Sequence, residues 1–301
     1  MPRSAVPTQG SQGRWHAVPV LGRVFRRRTP QRKGVTPMAI QSAAAAVSAI
    51  CKAAALRAIG MGMTLPGRPL DAFLEHTMLR GMLRDLEIGT VLDVGANTGQ
   101  FAARLRAIGF TGRIISFEPV ARNFAAMSGR MAGDPLWHGM HMALGDADGE
   151  AVINVEPAMT VMTSLLTQIE APSGMETETV AVRRLDGVLP DLMRGRDGQR
   201  ILLKMDTQGY DLKCFSGAGG CLGQVEALFS ELSVKPIYHG SPHYLESLAV
   251  YEAAGFVLVN LSVESRSMGA VQEMNCLMRR ARDPRPSRES AAPHAQTEAL
   301  S

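Results

Sequence analysis

The residues best suited to chemistry lie in one turn, within the stretch VLDVGANTGQFAARL at residues 91–105. An apolar run enters this turn and an amphipathic helical pattern leaves it. Gly95 permits a backbone angle that a Cβ atom would obstruct, and Gly99 lets the helix start close to the strand or to a ligand. Asn97 or Thr98 can cap the new helix. The pattern therefore predicts a ligand-binding turn beyond the carboxyl end of a strand.

The glycine spacing of this turn separates two kinds of nucleoside ligand. A dinucleotide-binding turn reads G-x-G-x-x-G and brings the backbone against a pyrophosphate, whereas this turn reads D-x-G-x-x-x-G. The carboxylate of Asp93 suits a ligand with a cationic end. S-adenosylmethionine carries a sulfonium and an ammonium group, so the turn favours this cofactor over NAD. A dehydrogenase, and a fold that binds nothing at this turn, stay open as alternatives.

Two further carboxylates follow the next two predicted strands. Glu118 ends the run IISFEP, where a carboxylate can accept hydrogen bonds from both ribose hydroxyls. Asp146 in ALGDADGEA stands where an adenine amino group needs an acceptor, whereas Asp148 is better explained as part of a polar turn. The predicted cofactor site therefore consists of Asp93, Gly95, Asn97, Gly99, Glu118 and Asp146.

The segment KMDTQG at residues 204–209 contains the leading candidate for catalysis. Asp206 follows the end of a predicted strand. There it can orient or deprotonate a hydroxyl that accepts the methyl group of S-adenosylmethionine, or it can instead cap the next helix. Lys204 can pair with Asp206 or Glu231, because a buried lysine needs an anionic partner. Glu231 ends the following strand and can line the acceptor pocket. His239 ranks below Asp206 as a base, although the ordinary pKa of histidine lies near neutrality.

No metal site is expected from the spacing of the histidines and cysteines. His138 and His141 are three residues apart on one predicted strand, so they cannot share a face of it. The four cysteines form no zinc-binding pattern and are expected to be free thiols in a reducing cytosol. The cofactor and acceptor are therefore expected to react without a metal ion.

These candidate residues need a doubly wound sheet to bring them together. Short apolar runs alternate with helical stretches over residues 71–280, as is typical of a mostly parallel, Rossmann-like α/β fold. Strands are predicted at 90–94, 113–117, 136–143, 200–205, 225–231, 256–261 and 270–278, and helices at 72–86, 98–108, 120–132, 211–219 and 242–253. An insertion at 149–184 carries strand-like pieces at 151–155 and 179–185. Its loop is rich in methionine and can form an adaptable lid or packing surface, through Met159, Met162 and Met175.

The two ends of the chain differ from this body in composition. Residues 1–37 are basic and aperiodic and are expected to be disordered, with an organelle-targeting segment or a true start at Met38 as alternatives. Residues 38–70 are Ala-rich and helical, and either pack on the body or lie on an anionic membrane surface. Residues 281–301 are expected to form a disordered tail.

The charge distribution argues against a nucleic-acid groove. Residues 1–70 contain 11 Arg and Lys residues and no Asp or Glu, whereas residues 71–278 contain 16 basic and 25 acidic side chains. A phosphate-binding surface should be basic, so no nucleic-acid partner is expected for this acidic body. The pocket itself could still be locally basic through Arg183 and Arg184.

Six segments in order resemble the FkbM family of S-adenosylmethionine-dependent methyltransferases. They are VLDVGANTGQF (91–101), IISFEPVARNF (114–124), ALGDADGEAVINV (143–155), RRLDGVL (183–189), ILLKMDTQGYDLKCFSGAG (201–219) and LFSELS (228–233). The resemblance implies a class I methyltransferase sheet with a final antiparallel strand, and O-methylation of hydroxyls on sugars or other small metabolites. One position departs from the family, because Gln208 replaces the usual acidic residue.

The function expected from these observations is a cytoplasmic, S-adenosylmethionine-dependent O-methyltransferase with a small-molecule acceptor. The basic N-terminal segment is also expected to be able to contact a membrane surface. The alternative is a non-catalytic nucleoside-binding module of the same Rossmann-like fold. Neither the acceptor nor the oligomeric state follows from the sequence.

Overall fold

The computed structural model describes residues 53–54, 56–58, 60–62, 67–155, 164–169, 176–196 and 198–281. The chain divides into two compact units, residues 1–64 and 65–301, and the elements below all belong to the second. The basic segment 1–37, the tail from residue 282 and the three loop methionines lie outside the described residues. So does most of the Ala-rich segment, although residues 56–58 are helical.

The strands of the described residues follow the predicted order. In chain order they are β1 (Ile88–Val94), β2 (Arg113–Phe117), β3 (Trp137–Met140), β4 (Ala143–Leu144), β5 (Gly149–Val155), β6 (Glu176–Arg183), β7 (Arg200–Met205), β8 (Val225–Ser233), β9 (Phe256–Ser267) and β10 (Ala270–Arg280). Seven of them form one sheet in the order β3-β2-β1-β7-β8-β10-β9. Neighbours from β3 to β8 are parallel, and β10 is antiparallel to β8 and β9. The predicted doubly wound sheet with a final antiparallel strand is confirmed.

Helices cover both faces of this sheet. They are α1 (Gly67–Asp85), α2 (Gln100–Ala107), α3 (Ala121–Met131), α4 (Leu185–Leu192), α5 (Asp211–Gly217) and α6 (Tyr244–Ala253), with a 3-10 helix at Gly219–Gln224. The five predicted helices are present within a few residues of their expected ends. Helix α4 was not predicted, because the strand-like pattern was extended to residue 185. Helix α1 begins before residue 71, so the body includes residues that the sequence assigned to the Ala-rich segment.

Alternation along β1 divides the apolar core between the two faces of the sheet. Leu92 and Val94 pack on the side of α4 and α5, together with Leu185 and Phe215. Val91 packs on the opposite side, in the cluster that contains residues of α1 and α2. This alternation follows from the two-residue period of a strand. Burial on both faces fixes the strand register and thus the positions of the side chains at the strand ends.

The predicted strand at 136–143 is wrong as a single element. Residues 137–140 pair in parallel with β2 in the main sheet, whereas residues 143–144 pair with β6 in a second sheet of order β4-β6-β5. The chain turns between them, where Met142 N donates to Met140 O at 3.1 Å. Residues 143–144 leave the main sheet because they pair with β6 of the insertion.

The hairpin of β9 and β10 is longer than predicted and reaches α1. Glu75 on α1 is buried, and its Oε2 accepts hydrogen bonds from Ser262 Oγ at 2.5 Å and Asn275 Nδ2 at 3.0 Å. These contacts join α1 to the hairpin above the end of the sheet. Among the described helices, none combines the length and apolar character needed to cross a bilayer.

Candidate functional site

A cavity of about 720 Å³ lies at the carboxyl ends of the central strands. Its volume is within the range of small-molecule sites. Two groups among its lining residues include the predicted site residues. The first follows β1 and β2 and includes Gly95, Asn97 and Glu118, and the second comes from β7, β8, α1 and the β9–β10 hairpin. The sheet therefore brings the predicted cofactor turn and the predicted catalytic carboxylates to one cavity.

The turn after β1 is shaped by contact with the segment after β7. Gly95 has a φ of 72°, and a Cβ atom added there would lie 2.0 Å from the backbone oxygen of Asp206. Gly95 N and Ala96 N both donate to Phe117 O, at 3.1 and 3.0 Å. Only glycine fits this combination of backbone angle and close approach. The cofactor turn and the catalytic segment are therefore in direct backbone contact.

Glu118 is buried at the end of β2 and faces the cavity. Its Oε2 accepts a hydrogen bond from Asn97 N at 2.8 Å, and its Oε1 accepts one from Val120 N at 3.0 Å. Asn123 Nδ2 donates to the same Oε1 at 3.5 Å, a contact that the sequence analysis missed. Burial raises the pKa of Glu118, although these donors oppose the shift. Oε2, with one donor, keeps a lone pair for a ribose hydroxyl, whereas Oε1 already accepts from two donors.

Asp93 does not line the cavity, because its side chain is fully buried under the turn. Its Oδ1 lies 3.0 Å from Lys204 Nζ, and its Oδ2 accepts a hydrogen bond from Ser116 Oγ at 3.2 Å. Lys204 Nζ also donates to Gly95 O at 2.9 Å. Burial alone would lower the pKa of Lys204, but the charges of Asp93 and Asp206 raise it. Lys204 was expected to pair with Asp206 or Glu231; it does lie 3.6 Å from Asp206 Oδ2, but its closer partner is Asp93. The buried Asp93–Lys204 pair supports the turn from below.

Two other residues of the predicted cofactor site lie outside the cavity lining. Gly99 is the N-cap of α2, and a Cβ atom there would lie 3.1 Å from Met127 Cγ, so this glycine permits packing between helices. The cap therefore belongs to neither Asn97 nor Thr98. Asp146 is partly exposed and pairs with Lys213 on α5, with 2.7 Å between Oδ2 and Nζ. Its carboxylate is thus engaged outside the cavity.

The half of the cavity that holds the predicted catalytic carboxylates Asp206 and Glu231, here called the catalytic half, also contains Gln208, which contacts both of them. Gln208 Nε2 donates to Asp206 Oδ1 at 3.3 Å and to Glu231 Oε2 at 2.8 Å. The Asp206 side chain is 42% exposed, and its Oδ2 lies 3.6 Å from Lys204 Nζ. Helix α5 begins five residues later with no side-chain cap, so the capping interpretation of Asp206 is wrong. Asp206 is placed to meet a molecule in the cavity.

The carboxylates around Asp206 hold their protons more tightly than usual. Burial first, and then the charges of Asp206 and Glu273, raise the pKa of Glu231 well above its ordinary value. Burial also raises the pKa of Glu273 and of Glu264. Beneath them, burial and the charge of Asp206 raise the pKa of Asp211 to about 7. Clusters of shifted carboxyl groups in a cavity are typical of sites that move protons.

His239 is not part of the cavity lining. Its backbone N donates to Thr167 O at 2.8 Å and its side chain is exposed. The neighbouring Tyr238 is buried instead, with its hydroxyl directed to Gln208 Oε1 at 3.2 Å. On the other side of the cavity, His76 on α1 is a lining residue that the sequence did not indicate. Partial burial, followed by the nearby charge of Arg104, lowers the pKa of His76.

Arg183 and Arg184 do not make the pocket basic. Arg183 donates to backbone oxygens of the second sheet, and Arg184 pairs with Asp186 at 2.6 Å. The lining contributed by the β9–β10 hairpin is acidic instead, through Glu264 and Glu273. Within the described part of the chain, no group of three His, Cys, Asp or Glu side chains is arranged to hold a metal ion.

The sheet begins with β3-β2-β1, continues with the parallel strands β7 and β8, and ends in the antiparallel β9–β10 hairpin. This arrangement defines the class I methyltransferase fold. The cavity at its carboxyl edge holds a buried carboxylate after the second strand, as a nucleoside cofactor requires. The FkbM methyltransferase domain matches residues 93–258. The chain belongs to the FkbM methyltransferase family, and its cofactor is S-adenosylmethionine. It is therefore an S-adenosylmethionine-dependent methyltransferase, and the dehydrogenase alternative is excluded.

Solved structures with a similar fold are distant in sequence. An rRNA methylase from Streptococcus thermophilus is 11% identical, with a TM-score of 0.38, and the match covers 68% of this chain and 95% of that one. Magnesium protoporphyrin IX methyltransferase from Synechocystis, solved with bound cofactor, is 8% identical with a TM-score of 0.40, covering 70% and 81%. A TehB-like methyltransferase from Corynebacterium glutamicum is 10% identical with a TM-score of 0.34, covering 78% and 99%. No curated protein matches the sequence, so nothing about the acceptor follows from these comparisons.

Replacing Glu118 with alanine is expected to weaken S-adenosylmethionine binding by roughly 10- to 100-fold, since hydrogen bonds to a charged group contribute about 1.5–3 kcal/mol each. Isothermal titration calorimetry measures the dissociation constant directly. Asp146→Ala is the matched control, because this carboxylate is engaged with Lys213 outside the cavity. Equal affinities of the two variants would contradict the assignment of Glu118 to the ribose.

Proposed function

We propose that the protein transfers a methyl group to a hydroxyl of a sugar-containing or other small metabolite. The observation that carries this proposal is the position of Asp206. Its half-exposed carboxylate faces the cavity, while its backbone oxygen contacts the Gly95 turn of the cofactor site. A carboxylate so close to the cofactor turn can accept the proton that a hydroxyl must lose when its oxygen forms a bond to carbon.

The chain's own residues would align the reactants and receive the proton. When bound, the cofactor supplies an electrophilic methyl group. Glu118 and Asn97 hold the nucleoside, and Lys204 keeps the turn and Asp206 in register through contacts with both. Asp206 would accept the proton that the acceptor hydroxyl loses when its oxygen takes the methyl group that the cofactor would supply. Fixing this geometry is the main contribution that the protein makes to a displacement of this kind.

The lining of the acceptor half supports a polyhydroxylated acceptor. Its polar side chains are carboxylates, amides and hydroxyls, which form hydrogen bonds with sugar hydroxyls. They come from the β9–β10 hairpin and are Ser262, Glu264, Ser265, Gln272, Glu273 and Asn275. The absence of arginine and lysine from this hairpin lining favours a neutral or cationic acceptor over a phosphorylated one.

Mass spectrometry of a metabolite extract tests this proposal. The extract, taken from the cells that express the protein, is incubated with purified enzyme and methyl-labelled S-adenosylmethionine. A labelled methyl ether that is missing with Asp206→Asn is the expected result. A labelled amine would overturn O-methylation. Cofactor binding with no labelled product in any extract fraction would favour the non-catalytic nucleoside-binding module.

A cytoplasmic location with optional membrane contact remains part of the proposal. The membrane contact is supported by the charge of segment 1–70, which has 11 basic and no acidic residues. Such a segment is attracted to anionic lipid. Sedimentation with vesicles containing phosphatidylserine, compared between the full chain and a chain lacking residues 1–37, tests the contact. Equal sedimentation of the two would contradict it.

A further inference from the structure

Gln208 connects the two carboxylates of the catalytic half of the cavity. Both hydrogen atoms of its amide nitrogen are used, one towards Asp206 Oδ1 and one towards Glu231 Oε2, at 3.3 and 2.8 Å. The hydroxyl of Tyr238 donates to the amide oxygen at 3.2 Å. This third contact fixes which end of the amide faces the carboxylates. Gln208 therefore presents only donors to Asp206 and Glu231.

The backbone holds this side chain in place. Gln208 has a φ of 55°, a left-handed conformation that non-glycine residues rarely adopt. Its carbonyl oxygen accepts a hydrogen bond from Ser164 Oγ at 2.9 Å. The next residue, Gly209, also has a positive φ, and a Cβ atom added there would lie 2.6 Å from Ser241 Oγ. The contacts on both sides keep the amide between the two carboxylates.

We propose that Gln208 is a positioning residue that sets the protonation of the Asp206–Glu231 pair, because its amide group donates to both carboxylates at once. This inference rests on the proposed function, in which Asp206 receives the acceptor's proton. A carboxylate near a like charge holds its proton more tightly unless donors or cations stabilise its charged form. Gln208 supplies such donors without adding a charge. A third carboxylate at this position would instead add a like charge and raise the pKa of Glu231 further.

The charged and titratable groups around Asp206 and Glu231 do not replace the hydrogen-bond donors that Gln208 supplies. Lys204 on β7 is the nearby cation, and its Nζ contacts Asp93, two backbone oxygens and, at 3.6 Å, Asp206 Oδ2, but it forms no ion pair with Glu231. The acidic neighbours are Asp211 on α5, Glu264 on β9 and Glu273 on β10, and their charges raise the pKa of Glu231. Tyr238 in the loop after β8 keeps its proton, which it donates to Gln208 Oε1. The side-chain hydrogen bond that Glu231 Oε2 accepts comes from the Gln208 amide.

A carboxyl titration of the full chain without ligand tests the proposal. Glutamate labelled with carbon-13 at the side-chain carboxyl is incorporated, and the Glu231 signal is identified by its loss in Glu231→Gln. In Gln208→Glu, we expect the titration midpoint of Glu231 to rise by about one pH unit or more, since a like charge disfavours ionisation. In Gln208→Met, which removes the donors and adds no charge, we expect a smaller rise.

Gln199→Glu is the matched control for the chemical change. Gln199 accepts a hydrogen bond from Thr90 Oγ1 at 2.7 Å at the opposite end of the sheet, so the Glu231 midpoint should not move. Midpoints unchanged in both Gln208 variants would overturn the proposal. If Gln208→Glu does not fold, Gln208→Met decides, because a shift supports the proposal and its absence overturns it. The titration needs neither cofactor nor acceptor, so a failure of methyl transfer is seen separately in the extract experiment.

Discussion

A Gly95→Val variant is expected to lose measurable binding of S-adenosylmethionine, a fall of at least about 100-fold. A Cβ atom at this position would lie 2.0 Å from the backbone oxygen of Asp206, and backbone cannot move aside as a flexible side chain can. The φ of 72° adds strain for any residue with a Cβ atom. The turn must therefore move away from β7, which displaces the donors at Asn97 and the contact with Lys204. Isothermal titration calorimetry measures the loss.

Gly99→Ala is the matched control for backbone strain. Gly99 has a similar positive φ of 81°, but the nearest atom to an added Cβ is Met127 Cγ at 3.1 Å, which belongs to a flexible side chain. Its affinity for the cofactor is expected to fall much less. Thermal denaturation shows whether each variant is folded, and Gly95→Ala is a milder form of the same change. Equal affinity of the Gly95 and Gly99 variants would place the cofactor away from this turn.

Replacing Asp206 with asparagine is expected to reduce the rate of methyl transfer by about 10²–10⁴-fold, the usual contribution of a positioned general base. Asparagine keeps the size of the side chain and one acceptor oxygen but cannot take up a proton. The cofactor affinity should change much less, because the Gly95 turn contacts the backbone oxygen of residue 206 and not its side chain. Transfer of a labelled methyl group to the acceptor from the extract experiment measures the rate.

Asp146→Asn is the control for this prediction. It removes a carboxylate that pairs with Lys213 at 2.7 Å, outside the cavity, and both rate and affinity should stay close to those of the unaltered protein. If Asp206→Asn transferred the methyl group at the full rate, the base would have to be another group in the cavity. His76 would be the next group to test, because its lowered pKa favours the neutral form that accepts a proton. A loss of cofactor affinity as large as the loss of rate would make Asp206 a binding residue.

Several parts of the site could be predicted because they depend on local pattern and one topological rule. The apolar runs before Gly95, Glu118 and Asp206 are short and end sharply in polar residues. Parallel strands place their carboxyl ends at the same edge, so residues far apart in sequence meet in one cavity. For the same reason, Glu231 and Asp206 both line this cavity.

Other assignments failed because strand position does not determine where a side chain points or with what it pairs. Asp93 precedes the turn as predicted, yet the alternation of β1 directs it under the turn towards Lys204. His239 follows a buried tyrosine, and the loop directs Tyr238 rather than the histidine towards the cavity. Asp146 is diverted to Lys213 on α5. Each outcome depends on a partner that is distant in sequence.

The sequence alone determined the class of protein, the order of the strands and the two carboxylates, Glu118 and Asp206, that end them beside the cavity. These features follow from periodicity, glycine spacing and segment order, which are properties of the sequence itself. The tertiary structure alone decided that Gln208 joins Asp206 to Glu231 and that the β9–β10 hairpin makes the acceptor half acidic. Such contacts join elements dozens of residues apart, and packing in three dimensions sets their distances and charges.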